Sequence, residues 1–214
     1  LRPDFSEGWV GLCHLRLLQR DFDAARAISQ QNRERSNRGS ASDNAPDEIT
    51  AQVEFFARNF AEAKRLYLAL REKNFGYGIS YGAMSYGSAL GRLDQLLGDE
   101  TAGRALLEEA GRDEAKDPRP NDPENLYRRA AIESSLGEMN TALNYFQAAL
   151  GAGWLDGRSP LLDPRFDALS ADHRFQNLLA SLENERALRN QQIATLNKTA
   201  AQDASAPKFW QAPR

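Results

Sequence analysis

Four stretches decide the fold: RDFDAARAIS at 20–29, RNFAEAKRLY at 58–67, LGDETAGRALL at 97–107 and LGEMNTALNYF at 136–146. Each holds a short turn, a polar starter and a helix with a small residue at a fixed place. The small residues are Ala25, Ala63, Gly103 and Ala142, separated by 38, 40 and 39 positions. Twelve residues before each comes another small one: Cys13, Ala51, Gly91 and Ala130. Two antiparallel helices approach closely only where their crossing residues lack bulk, so this pairing predicts four helical hairpins. A period near 40 residues points to a stacked array.

The remaining offsets agree. Asp21, Asn59, Asp99 and Glu138 stand before the second helix of each unit. Asp and Asn there accept hydrogen bonds from free amides, and the acids suit a helix N-terminus. Gly98 and Gly137 supply the preceding turn, where units one and two carry Arg20 and Arg58, a less comfortable choice. One turn past each marker come Ser29, Tyr67, Leu107 and Phe146. The expectation is an all-α chain, an α-solenoid of about four hairpins spanning units 3–36, 46–75, 80–114 and 122–153. The connections at 36–46 and 116–125 are rich in Pro, Asn, Asp or Ser. The first helix of unit three is glycine-rich and the least regular.

These residues resemble the tetratricopeptide repeat (TPR). WVGLCHLR gives Trp9, Leu12 and Cys13 in the places of its W-x2-L-G half, and AKRLY and ALNYF give its A-x3-aromatic half. The resemblance covers about 3–153. The family's aromatic in the first helix is replaced by Arg16, Glu54, Asp94 and Glu133, and the period exceeds the usual one of about 34. The string ALGAGWLDGRSPLLDPRFDALSADHRFQNLLASL, 149–182, resembles the end of such arrays in bacterial multidomain signalling proteins. Those carry a winged-helix domain, a nucleotide cyclase or a Ser/Thr kinase as output. The resemblance implies a helical cap over 154–197, covering the last unit's apolar face. After it, 198–214 reads as a flexible tail with an aromatic pair, Phe209-Trp210.

Within that cap, Ser170, Asp172 and His173 sit close enough to suggest a hydrolase triad. Asp163-Pro164-Arg165-Phe166 and Asp172-His173-Arg174-Phe175 are instead two copies of one tetrapeptide. Asp before Pro starts helices, and groups this close along one helix diverge around its axis. Cys13-His14 diverge likewise and have no further Cys to complete a metal set. The glycines at 76, 78 and 82 do not form a phosphate loop, whereas Gly87 and Gly91 share one helix face. Glu108-Glu109 and Glu183-Glu185 read as solvated faces.

The chain has 214 residues, 27 basic and 30 acidic, with a net charge of −3. It offers no basic stripe, so no nucleic acid is expected to be contacted directly. No run reaches the roughly 20 apolar residues of a membrane helix, so no membrane insertion by this segment is expected. The opening LRPDF, without methionine, reads as a piece of something longer. Localisation stays open between bacterial cytoplasm and periplasm. No catalytic, cofactor-binding or metal-ligating set is expected.

A groove should be lined by residues eleven before each marker, His14, Gln52, Arg92 and Ala131, with Phe55, Phe56, Gln95 and Tyr127 beside them. Val10, Leu17, Ser88 and Ser134 share that face. It suits an extended protein or peptide partner, or a second copy in a homo-oligomer. The expected function is a protein-interaction or sensory module of a larger bacterial signalling protein, not an enzyme. The alternative is a freestanding TPR scaffold or assembly factor of an envelope complex.

Overall fold

The computed structural model describes residues 6–36, 45–74, 79–80 and 84–202. Phe209-Trp210, most of the 36–46 connection and the glycines at 76, 78 and 82 lie outside the described residues. Helices α1 (Ser6–Leu18) and α2 (Phe22–Ser36) form the first hairpin, and α3 (Ala45–Phe56) and α4 (Phe60–Asn74) the second. A two-residue antiparallel pair, β1 (Ile79–Ser80) with β2 (Met84–Ser85), precedes α5 (Tyr86–Leu96) and α6 (Glu100–Glu114). Next come α7 (Pro123–Leu136), α8 (Met139–Gly151), 3-10 turns at Ser159–Leu161 and Pro164–Leu169, and α9 (His173–Gln202). The chain is all-α, and each helix packs against the next in chain order.

The four hairpins turn in one way. At each, the last carbonyls of the first helix accept two amides in a nested pair. Asp21, Asn59, Asp99 and Glu138 donate their N–H to Arg16, Glu54, Asp94 and Glu133 at 2.8 to 3.0 Å. Arg20, Arg58, Gly98 and Gly137 donate to Leu17, Phe55, Gln95 and Ser134. This closure needs a left-handed residue, and all four have one: φ is 61° at Arg20, 66° at Arg58, 96° at Gly98 and 86° at Gly137. The two arginines carry about 1–2 kcal/mol of backbone strain that the glycines avoid. The starters behave less uniformly than expected. Asp21 and Asp99 accept the amides of Ala24 and Ala102 at 3.2 and 3.0 Å. Glu138 makes no side-chain cap, and Asn59 donates its carboxamide to Glu54 at 2.9 Å.

All eight small residues are buried. Cys13 donates its thiol to the Ala25 carbonyl at 3.1 Å, and burial pushes that thiol up to about 12. The tightest crossing joins α5 to α6. A Cβ built on Gly103 would lie 2.5 Å from the Gly91 carbonyl oxygen, and one on Gly91 would lie 2.9 Å from that of Gly103. Gly87 packs less tightly, with 3.3 Å from such a Cβ to the Ala110 methyl.

Two apolar clusters result. One fills α1 to α5 and takes in Leu162 from beyond α8. The other joins α7 and α8 to Phe166, Leu169, Phe175 and Leu179. Phe166 and Phe175 stack at 5.6 Å beside Phe146. Helix α9 runs on to Gln202, past residue 197. From Glu183 to Thr199 every α9 residue except Arg186 is exposed.

Candidate functional site

The expected groove is not an open surface. Gln52, Phe55, Phe56 and Tyr127 are buried, with at most 2 % of their surface exposed, and His14, Arg92 and Gln95 are half-buried. Val10, Leu17, Ser88, Ala131 and Ser134 are buried too. Much of the cover comes from the chain itself. Residues 154–169 leave α8 through Gly153, in a left-handed turn at φ 106°, and reach residues of all four hairpins.

Each contact uses chemistry that a foreign peptide would also use. Trp154 stacks on Tyr127 with ring centres 4.3 Å apart. Asp156 lies 3.9 Å from His14 Nε2. Burial opposes the Asp156 charge, but His14, the Ser159 hydroxyl and the amides of Ser159 and Arg158 hold its carboxyl at about 2. Arg92 donates to the Pro164 carbonyl at 3.1 Å. Arg58, the strained turn residue, grips Asp167 through two bonds of 2.6 and 2.7 Å. Gln95 reaches the Ser135 carbonyl instead, at 3.1 Å. Among the described residues, Gln52 has no hydrogen-bond partner for either carboxamide atom.

At the centre is a buried pair. Arg165 and Asp163 side chains are both fully shielded, 2.6 Å apart. Asp163 also accepts the Arg165 amide at 3.0 Å and the Tyr127 hydroxyl at 3.3 Å, and Arg165 donates to Ser88 at 2.8 Å. Desolvation and this carboxylate push the Tyr127 hydroxyl well above its ordinary range.

The second tetrapeptide repeats that geometry in solvent. Asp172 accepts the Arg174 amide at 2.8 Å, and Arg174 folds back on it at 2.7 Å. Ser170 donates to the Asp167 carbonyl at 2.7 Å and His173 is exposed, so the three residues form no triad. Among the described residues, no group of three or more His, Cys, Asp or Glu is placed to hold a metal ion.

The charges at 54 and 94, midway along the unit before the second helix, have a use that spacing alone did not reveal. Arg26, one residue past the first marker, grips Glu54 of unit two at 2.8 and 3.0 Å. Lys64, at the same offset in unit two, meets Asp94 of unit three at 2.6 Å. Burial raises the Glu54 carboxyl, yet hydrogen bonds from Arg26 and Asn59 outweigh it and the net direction is down. The third rung fails. Arg104 turns to Glu108 at 3.2 Å, and Glu133 is raised by burial and by Glu138.

A raised folded-state pKa means that the charged form opposes folding above it, and stability returns as pH falls through it. Glu133→Gln is therefore expected to raise the unfolding midpoint at pH 7 and to change nothing near about pH 3, where both states bind the proton. Thermal unfolding at the two pH values checks this. A variant no more stable than the parent at pH 7 would refute it.

An open cleft lies at the C-terminal end of the array. Between α8 and α9 is a cleft of about 600 Å³ with Leu143 and Leu178 as its apolar residues. Asn140, Asn144, Gln147 and Asn177 line it with carboxamides, donors and acceptors at once, beside Ser181 and Arg174, whose guanidinium donates to the Asn140 oxygen at 2.8 Å. Beyond it, Ile193 and Leu196 are 55 and 67 % exposed on α9. The sequence signal was present as Asn140, Asn144 and Gln147 at helical spacing, on one face of α8. Comparison of the chain with family models, curated proteins and solved structures gives no match.

Proposed function

We propose that this chain is a protein-interaction module built of TPR-like repeats, part of a larger bacterial signalling protein, and that it binds a polypeptide at its C-terminal end rather than in the repeat groove. One observation carries the reading: residues 154–169 sit where a partner would, with Arg165 and Asp163 wholly shielded from solvent. Expelling them would leave two charges and the faces of Phe166 and Trp154 to be re-covered. A partner would have to supply all of that interaction before gaining any affinity. The α8–α9 cleft and the exposed half of α9 ask for no such exchange. Their apolar residues among carboxamides suit a helical or extended polypeptide.

Site-specific photocrosslinking in producing cells tests this. A photoreactive residue at Asn144 or Ile193 is expected to give a covalent adduct with a polypeptide. One at Leu68, exposed on α4, is not. No adduct at either C-terminal position would overturn the reading.

A further inference from the structure

Helix α9 carries a pattern that is its own mirror. Leu178 and Leu196 lie nine residues before and nine after Ala187, and Glu185 and Arg189 two before and two after. At 100° per residue these four positions fall within an arc of about 40° on one face of the helix. An antiparallel partner of identical sequence meets this face with matching chemistry when the two-fold axis lies level with Ala187, on the side of the helix opposite its methyl. Leu196 of each copy comes opposite Leu178 of the other, and Glu185 of each opposite Arg189 of the other. Such an interface is isologous, so one helix supplies both halves.

The structure leaves these groups ready for it. Glu185 and Arg189 now pair with each other along the helix, each side chain 49 % exposed. Leu178 is half-buried at the α8–α9 cleft, which is open beside it. Leu196 stands eighteen residues further on, five turns and about 27 Å. That spacing lets one helix present a leucine to its partner's cleft while the partner does the same. One flanking residue matches as well: Gln192 is exposed about 40° from this face, and four carboxamides stand among the cleft's lining residues. A helix exposed from Glu183 to Thr199, save for Arg186, gains little stability by itself, because most helical stability in proteins comes from packing.

We propose that two copies of this chain pair through α9, antiparallel, with each Leu196 entering the other's α8–α9 cleft. This names the occupant of the surface assigned above and rests on that reading.

Sedimentation equilibrium of the full chain tests it. The parent is expected to be a dimer, and Leu196→Asp, exposed in the single copy and so harmless to its fold, to weaken association about 100-fold. Glu185→Arg and Arg189→Glu should each be monomeric alone, because each sets like charges face to face. Mixed together they should form a heterodimer, since every charge then meets its opposite. Circular dichroism checks that each variant keeps its helices. A parent monomeric at about 0.1 mM, a dimer indifferent to Leu196→Asp, or a mixture that stays monomeric would each overturn the proposal. A monomeric parent that still photocrosslinks to a different polypeptide at Asn144 would defeat the pairing and leave the module reading standing.

Discussion

Gly103→Ala is expected to destabilise the chain by about 2 kcal/mol, although alanine is the better helix former by about 1 kcal/mol. Propensity and packing disagree here, and distance decides between them. The new Cβ would sit 2.5 Å from the Gly91 carbonyl oxygen, 2.7 Å from Gln95 Cγ and 2.9 Å from the Gln95 amide nitrogen. Two of those three are backbone atoms of α5. They can retreat only if α5 and α6 separate, and that would loosen the apolar contacts along the whole hairpin. For a chain of this length the loss corresponds to about 6 °C in unfolding midpoint. The control lies on the same helix. At Gly111 an added Cβ would meet only the Ile132 side chain, at 3.6 Å, so Gly111→Ala should gain stability through propensity alone. Thermal unfolding of the two variants separates the effects. A Gly103→Ala protein as stable as Gly111→Ala would mean that bulk at the crossings does not limit the fold.

That crossing was legible because it is local. A hairpin brings together residues twelve apart, so small markers at fixed spacing appear in the sequence as a period. The left-handed turns were legible too, including the awkward Arg20 and Arg58. Asn59 escaped because Glu54 lies five residues earlier and competes for its carboxamide. The filled groove was not legible, because Arg92 meets Pro164 across 72 positions and Arg58 meets Asp167 across 109. No periodicity encodes such contacts. A hint was available in composition: Val10, Leu17, Phe55, Phe56 and Tyr127 make too apolar a wall to face water, and a wall of that kind needs cover. The charge ladder could have been read as well. Arg26, Lys64 and Arg104 share one offset, and Glu54, Asp94 and Glu133 another. Only the structure shows that two rungs close and the third does not.

Asp163→Ala should cost about 3–5 kcal/mol, more than Gly103→Ala, because it strands a buried guanidinium. Arg165 would keep Ser88 as a partner, but its only carboxylate would be gone with no solvent to replace it. Asp163 also caps the 3-10 turn at Pro164–Leu169, so the backbone of the docked segment loosens at the same time. The sequence supplies its own control, since Asp172 makes the same two contacts to Arg174 where water can replace them. Asp172→Ala is therefore expected to cause only a small loss. The companion variant Asp163→Ala/Arg165→Met removes the stranded charge along with its partner, and should recover much of the stability. Urea unfolding of the three proteins gives the comparison. Equal losses at Asp163 and Asp172 would show that local capping, not the buried charge pair, holds residues 154–169 against the repeats. The groove would then be closed by a segment far easier to displace.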